Sequence, residues 1–410
     1  QEFVNEISLT ERPFFFEQKG NYVFVGIRQA GKSYLLYQRI QQLLREEHNI
    51  NEIVYINFDD ERLRQMTADD LDLILQAYHS LFDLRPLLFF DEIQNIEGWE
   101  HFARRLANQK YNIYITGSNA KMLSREIATT LGGRFWNKDV YPYSFAEYLN
   151  ARDIILSKNW MYGKQAAEVS KAFNDYFLYG GFPELTDVIA KRVWLNDIYS
   201  KIFFSDLIVR NKVRNEEALG LLVRRLAENV KQPISYTRLA NLISSIGIKI
   251  SKATVIEFIR YLKESCLIFP IENYAAKFAE RNSNMKHYFI DNGLLSIFLL
   301  DGNTSLLENI VAIHLYKRYD AQLYFYNQNI EVDFVIPEAK TAIQVSYSLM
   351  DETTCRREVE GLIKLNRVFP MDNMCIITQD EERIITHESG VSIHVIPVWK
   401  WLLEEEPLRT

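Results

Sequence analysis

The sequence predicts an α/β protein: a parallel sheet lying between helices, extended by a helical middle and a second, smaller α/β region. Two observations carry that expectation. Short runs at Val23–Val25, Ile53–Phe58, Leu87–Phe90 and Tyr111–Ile115 are apolar along most of their length rather than alternating, as strands buried on both faces must be. Helical spacing follows these runs, and parallel strands need such crossovers.

The first run enters Gly26-Ile27-Arg28-Gln29-Ala30-Gly31-Lys32-Ser33, and Tyr34 continues into an amphipathic helix ending near Leu44. This G-x-x-x-x-G-K-S spacing is the phosphate-binding P-loop. The loop must wrap a polyphosphate closely enough for backbone N–H groups to point inward, so Gly26 and Gly31 stand where a side chain would obstruct the turn. Lys32 supplies a point charge for the β- and γ-phosphates, Ser33 a hydroxyl ligand for Mg²⁺, and the helix N-terminus its dipole. The nucleotide-binding set is Gly26 through Tyr34, and the core is that of a P-loop NTPase.

Ile53–Phe58 reads as a second buried strand, and Leu87-Leu88-Phe89-Phe90-Asp91-Glu92 as the acidic strand that completes such a site. Asp91 emerges at a carboxyl strand end, where ligands sit in open α/β sheets, and belongs to the Mg²⁺ shell. Glu92 is placed to orient or deprotonate the attacking water. Tyr111–Asn119 supplies a further strand ending in small polar residues. It is expected between the P-loop strand and the acidic strand, with Ser118 or Asn119 as γ-phosphate sensor. The catalytic set is therefore Lys32, Glu92 and Asn119. Arg134, after Gly132-Gly133, reads either as a γ-phosphate ligand, in cis or from a neighbouring subunit, or as a structural ion pair. Ser144 and Glu147 have the spacing of a capping box.

Bulk properties narrow the field. A chain of 410 residues should hold about two to four domains. The net charge of −7 argues against non-specific coating of nucleic acid, so any such contact must be local. Cys266, Cys355 and Cys375 are scattered, which suits a reducing compartment, and the histidines show no metal-ligand spacing. No apolar run approaches the ~20 residues of a membrane span. No signal-peptide pattern is present, and Gln1 in place of Met reads as a trimmed start. A cytoplasmic protein with an acidic Glu404–Glu406 end is expected.

GIRQAGKS, LLFFDEIQ, ITGSN, GGRF, PYSFAEYL and YGGFPE, in that order, resemble a large prokaryotic family of AAA-type P-loop ATPases. Members carry a C-terminal half that is a domain of unknown function. The resemblance covers nearly the whole chain and implies ATP rather than GTP, in keeping with the lack of an N-K-x-D-like guanine motif. By the same resemblance Pro183 is a nucleotide contact in a helical lid.

The organisation expected is an ATPase core at 1–142, the lid at 143–214, a winged helix-turn-helix at 215–272, a connector at 273–301 and an α/β domain at 302–410. Helix, turn, helix and strand within 216–271 carry the winged-helix reading. Lys249, Lys252, Thr254, Arg260 and Lys263 on or near its third helix are candidate contacts to double-stranded DNA. Glu257 on the same helix weakens the electrostatic argument, and winged helices also bind proteins. In the last segment a helix with Glu308, then strands with Asp333, Gln344 and Ser346, resembles the PD-(D/E)xK restriction-endonuclease-like fold. That chemistry needs two carboxylates for a divalent metal and a lysine for the water. Gln344 stands where the second acid belongs and Ser346 where the lysine belongs, so a degenerate, non-catalytic docking module is expected. Gln344 keeps a carbonyl oxygen that a metal can use weakly.

The function expected is Mg²⁺-dependent ATP binding and hydrolysis coupled to DNA or a protein partner, with oligomerisation open. A nucleotide-dependent switch with negligible turnover is the alternative, and an ATP-regulated nuclease ranks below it.

Overall fold

The computed structural model describes residues 7–123, 125–277, 281 and 283–404. They divide into two compact units, the first built from residues up to Pro142 together with Glu264–Cys266, the second from Tyr143–Lys263 and the residues from Leu267 onward.

The first unit is a five-stranded sheet, all parallel, in the order β2-β3-β4-β1-β5. The strands are β1 (Tyr22–Val25), β2 (Ile53–Asn57), β3 (Leu87–Asp91), β4 (Asn112–Gly117) and β5 (Trp136–Asp139). β4 pairs with both β1 and β3, so the expected central place of the strand ending in Gly117 is observed. Successive side chains alternate between the faces. Val23, Val25, Leu88, Phe90, Ile113 and Ile115 pack with Trp99, Phe102 and Leu106 of the Trp99–Asn108 helix. On β1, β3 and β4, Tyr22, Phe89 and Tyr114 form a stack, with ring centroids 5.8 Å and 4.6 Å apart. Each such side chain contributes about 1.5–3 kcal/mol when fully buried. Both faces being covered explains why the strands read as apolar runs.

The register decides what meets at the carboxyl edge. Val25 lies opposite Gly117, and Asn57 opposite Asp91. The chain therefore leaves β1, β3 and β4 at one edge, where the loop beginning at Gly26 must lie.

The second unit opens with the Phe145–Asn150 helix, closed by the expected capping box. The Ser144 amide donates to Glu147 Oε2 at 2.8 Å, and the Glu147 amide to Ser144 Oγ at 3.2 Å. Helices Lys164–Tyr179 and Lys191–Lys201 follow, and the latter continues as a π-helix over Ile202–Val209. Between them, the Gly181 amide donates to the buried Asp291 carboxylate, which also accepts from Gly293 and Leu294. Next come the helix Glu216–Glu228, β6 (Ile234–Ser235), the helices Tyr236–Ser244 and Lys252–Glu264, β7 (Ile268–Asn273) and β8 (Asn284–Phe289).

The segment 273–301 is not a connector. Its residues 284–289 form β8, antiparallel to β7 and to β6. β7 in turn runs parallel to β9 (Tyr324–Asn327), with Glu272 opposite Tyr324. One mixed sheet of nine strands therefore extends from β6 through β10 (Glu331–Ile336), β11 (Thr341–Val345), β12 (Asn373–Thr378) and β14 (Ser392–Pro397) to β13 (Arg383–Thr386). The reason lies in β8, which is buried from Met285 to Phe289 and engages partners on both faces. His287 faces Tyr236 of the Tyr236–Ser244 helix, whereas Lys286 and Tyr288 face Glu308 of the Asn303–Tyr319 helix. Among the described residues no helix is long and apolar enough to cross a membrane. Glu405 and Glu406 of the acidic end lie outside the described residues.

Candidate functional site

The loop after β1 is shaped by close backbone approach. A Cβ on Gly26 would fall on the Val140 carbonyl, so only glycine fits there. Gly31 (φ 92°) and Gln29 (φ 60°) both adopt left-handed backbone, and Gly31 does so without a steric cost. The helix α1 (Lys32–Arg45) then begins. Ile27 and Ala30 are buried and Tyr34 is exposed, while Arg28 and Ser33 are half-buried.

Lys32 is buried and its ammonium folds over its own loop, donating to the carbonyls of Gly26 and Ile27 at 3.1 Å each. It also stands 3.6 Å from Glu92 Oε1. Burial works to raise the Glu92 carboxyl, but Lys32, hydrogen bonds from Gln94 and Ser118 and the charge of Arg28 outweigh it, leaving its pKa below the ordinary value. Glu92 is therefore ionised at neutral pH. It sits in left-handed backbone (φ 52°).

Asp91 is buried at the end of β3 and fully engaged. Its Oδ2 accepts from the Tyr55 hydroxyl at 2.7 Å, and its Oδ1 from Thr116 Oγ1. Thr116 Oγ1 also accepts from the Glu92 amide at 3.0 Å, so one hydroxyl on β4 holds both acids. The Tyr55 hydroxyl meets that of Tyr37 on α1 at 3.0 Å. Burial and then the Asp91 charge push the Tyr55 phenol far above the tyrosine range, so it remains a donor. Gln94 Nε2 donates to Glu92 Oε2 at 2.5 Å and to Ser118 Oγ at 3.4 Å. Ser118 is buried, and Asn119 beside it is half-buried.

The sequence-derived residues of this unit thus converge on one edge: Gly26–Ser33, Asp91, Glu92 and Ser118 with Asn119. Sequence reasoning missed Thr116, Tyr55 and Gln94. Thr116 and Gln94 lie inside quoted motifs, so adjacency to the acids was their available signal. Tyr55 carried none.

Arg134 does not belong to the edge. β5 runs parallel to β1 with Trp136 opposite Tyr22, which places Arg134 before the amino ends of both strands. The P-loop leaves β1 at the opposite end, about 13 Å away at the strand rise. The Arg134 guanidinium instead donates to Gly132 O at 3.0 Å. A cis contact with this chain's own γ-phosphate is therefore corrected by the register.

The donor set fits a nucleotide with Mg²⁺: a loop closed to any side chain at Gly26, a buried ammonium, the Ser33 hydroxyl and a buried carboxylate at Asp91.

Pro183 lies in the second unit, at the first position of a short 3₁₀ helix. Lys249, Lys252, Arg260 and Lys263 are exposed on or before the Lys252–Glu264 helix, and Thr254 caps it with Ser251, whose Oγ accepts the Thr254 amide at 3.1 Å. Glu257 stands 3.9 Å from Arg260.

Glu308 and Asp333 are brought together, but around an amine. Lys286 Nζ, fully buried, lies 3.1 Å from Glu308 Oε1, 3.1 Å from Asp333 Oδ1 and 3.7 Å from Glu331 Oε1. Gln344 does not point its carbonyl oxygen at the acids. Its Oε1 accepts from the Asp333 amide at 2.9 Å and its Nε2 donates to Glu331 O at 3.0 Å. The Gln344 oxygen, expected to serve a metal weakly, accepts here from the Asp333 backbone amide. Ser346 Oγ donates to Ser348 O at 3.0 Å. Among the described residues no group of three or more His, Cys, Asp or Glu is arranged to hold a metal ion.

Comparison with known proteins matches residues 18–149 to a family described as an AAA domain and residues 170–306 to a domain of unknown function (DUF8612). An uncharacterized protein of Methanocaldococcus jannaschii is 34% identical over 395 residues, spanning 93% of this chain and 88% of the relative. An uncharacterized protein of Haemophilus influenzae is 30% identical over 393 residues, spanning 93% and 94%. Among solved structures, the Walker-type ATPase PABY2304 of Pyrococcus abyssi aligns at 14% identity over 68% of this chain and 90% of that one, with a TM-score of 0.42.

Proposed function

This chain belongs to one family with its archaeal and bacterial relatives and carries the AAA domain of the P-loop ATPases, and on that premise we propose that its first unit binds Mg²⁺-ATP and hydrolyses it. The observation that carries this reading is the meeting of Lys32, Asp91 and Glu92 at one sheet edge, with Thr116 joining the two acids.

Lys32 exchanges the Gly26 and Ile27 carbonyls for the β- and γ-phosphates, and the P-loop amides bind the same oxygens. Ser33 and Asp91 hold Mg²⁺, which when bound neutralises charge on the phosphate oxygens. Glu92, released from Lys32 and ionised, orients the attacking water and accepts its proton as the bond from the γ-phosphorus to the bridging oxygen breaks. Gln94 links Glu92 to Ser118, so Ser118 and Asn119 report the presence of the γ-phosphate.

In the second unit, we assign the lid to 143–214 and a winged helix to 215–272. Lys249, Lys252, Thr254, Arg260 and Lys263 are its contacts to double-stranded DNA, and the C-terminal sheet is a docking surface for a protein partner. The chain works in the cytoplasm, singly or as an oligomer. A second reading, a binding switch with negligible turnover, draws on the Lys32–Glu92 pair, which occupies the base until nucleotide arrives.

Phosphate release measured over many turnovers, with and without double-stranded DNA, tests both. Hydrolysis that exceeds about one turnover per hour and disappears in Lys32→Ala supports the ATPase. A slower rate under every condition, with ATP still bound, supports the switch. Failure of the wild-type protein to bind ATP at all sinks both.

A further inference from the structure

The PD-(D/E)xK resemblance implies a divalent metal between Glu308 and Asp333, and the residues present do not fit one. The cluster lies on a cavity of ≈650 Å³ lined by Glu308, Glu331, Asp333, Gln344, Ser346 and Arg357, among others. Lys286, from β8, is fully buried against Glu308 and Asp333 of that lining. The ammonium donates to Glu308 Oε1 and Asp333 Oδ1 at 3.1 Å each, and Glu331 Oε1 adds a third negative charge 3.7 Å away. The acids are held in place from behind. Tyr288 OH donates to Glu308 Oε1 at 2.7 Å, and the Val345 amide to Asp333 Oδ2 at 2.9 Å.

The dimensions are those of an ammonium. N–H···O bonds run about 2.7–3.2 Å, whereas Mg²⁺ takes oxygens at about 2.0–2.1 Å and Ca²⁺ at about 2.3–2.6 Å. A divalent ion bound to Glu308 and Asp333 would also lie a few ångströms from the buried Lys286 ammonium, whose like charge would repel it.

We propose that Lys286 occupies the position of the divalent cation, so that the C-terminal carboxylate cluster is a metal site permanently filled by the chain's own side chain. The charge balance supports this. Burial alone would favour the neutral amine, but the surrounding carboxylates outweigh it and keep Lys286 protonated. Gln344, where the second acid would stand, instead braces the strand backbone, accepting from the Asp333 amide and donating to Glu331 O. Lys286 thus accounts for the substitutions at Gln344 and Ser346 together: with no metal to hold, neither the second acid nor the water-activating lysine has a role.

Binding of Mn²⁺ to the nucleotide-free full-length protein, followed by electron paramagnetic resonance, tests the assignment. Wild type and Asp333→Asn should bind Mn²⁺ identically, any contribution from the P-loop region being common to both. Lys286→Ala should bind about one additional Mn²⁺ per chain, lost again when Asp333→Asn is added. If Lys286→Ala is poorly folded without metal, Mn²⁺ should raise its melting temperature and leave that of the wild type unmoved. The proposal is overturned if wild type binds an ion that Asp333→Asn loses. It is overturned equally if Lys286→Ala gains neither an ion nor stability from Mn²⁺.

Discussion

Lys32 and Glu92 form an ion pair across the first unit's site, with Nζ 3.6 Å from Oε1 and the same ammonium hydrogen-bonded to two carbonyls of its own loop. Two groups that the proposed reaction needs apart, one on phosphate and one on water, satisfy each other here. Nucleotide binding must therefore break this pair, and Glu92 becomes available as a base only once Lys32 has moved to phosphate.

Glu92→Gln should lower turnover by about 10²–10⁴-fold, the usual contribution of a general base. ATP affinity should stay equal or tighten, because a negative charge near the γ-phosphate is removed. Phosphate release and titration with a fluorescent ATP analogue check this. Normal turnover, or loss of nucleotide binding, would contradict the assigned role.

Asp91 is positioned by two hydroxyls, and their removal should show in the metal dependence. Tyr55→Phe deletes the hydrogen bond to Asp91 along with the contact to the Tyr37 hydroxyl; the Asp91 bond alone, worth about 1 kcal/mol, corresponds to a ~5-fold rise in the Mg²⁺ concentration for half-maximal hydrolysis. Thr116→Val should cost more, since Thr116 bonds both Asp91 and the Glu92 amide, and Thr116→Ser should restore most of the loss. A Mg²⁺ titration that is unchanged in both Tyr55→Phe and Thr116→Val would remove these residues from the site.

Arg134→Ala should leave turnover unchanged in dilute protein, because the guanidinium lies at the amino edge of the sheet. The rate is to be followed against protein concentration. A loss present at every concentration would mean that Arg134 reaches its own chain's nucleotide after all. A loss confined to high concentration would assign it to a neighbouring copy.

His287 gives the second unit an acid sensitivity. Burial, and then the charge of Lys263, lower its pKa to about 4 from an ordinary 6.5. A folded-state pKa below the unfolded one means the stabilisation is present above pH 6.5 and is lost as pH falls toward 4. Between pH 7 and pH 5 the loss should be about 2 kcal/mol. His287→Leu, which keeps the apolar contact to Tyr236, should lack that component when unfolding is compared at the two pH values. Parallel pH profiles for wild type and variant would show that the imidazole titrates freely.

Most of the first unit's site was legible because its requirements are local. Gly26, Gly31, Lys32 and Ser33 act within one turn and the start of one helix, and Asp91 and Glu92 close one strand. The capping box at Ser144 and Glu147 obeys the same short spacing. Where a residue's role depended on pairing between distant segments, the reading failed. Arg134 follows a Gly-Gly turn in either account, and only the β1–β5 register tells which sheet edge it occupies. Tyr55 looks like any aromatic in a buried strand until β2 sets its hydroxyl beside Asp91.

Lys286 marks the limit. It lies in a stretch read as a connector, 22 residues before Glu308 and 47 before Asp333, with no motif around it. The sequence by itself determined the phosphate loop, the acidic strand and the worn acids of the C-terminal region, because backbone geometry and hydrophobic patterning act over a few residues. Tertiary structure alone decided what fills the worn site. Burying an ammonium is unfavourable until carboxylates from another strand and a helix surround it, and that balance exists only once β8 has joined the sheet.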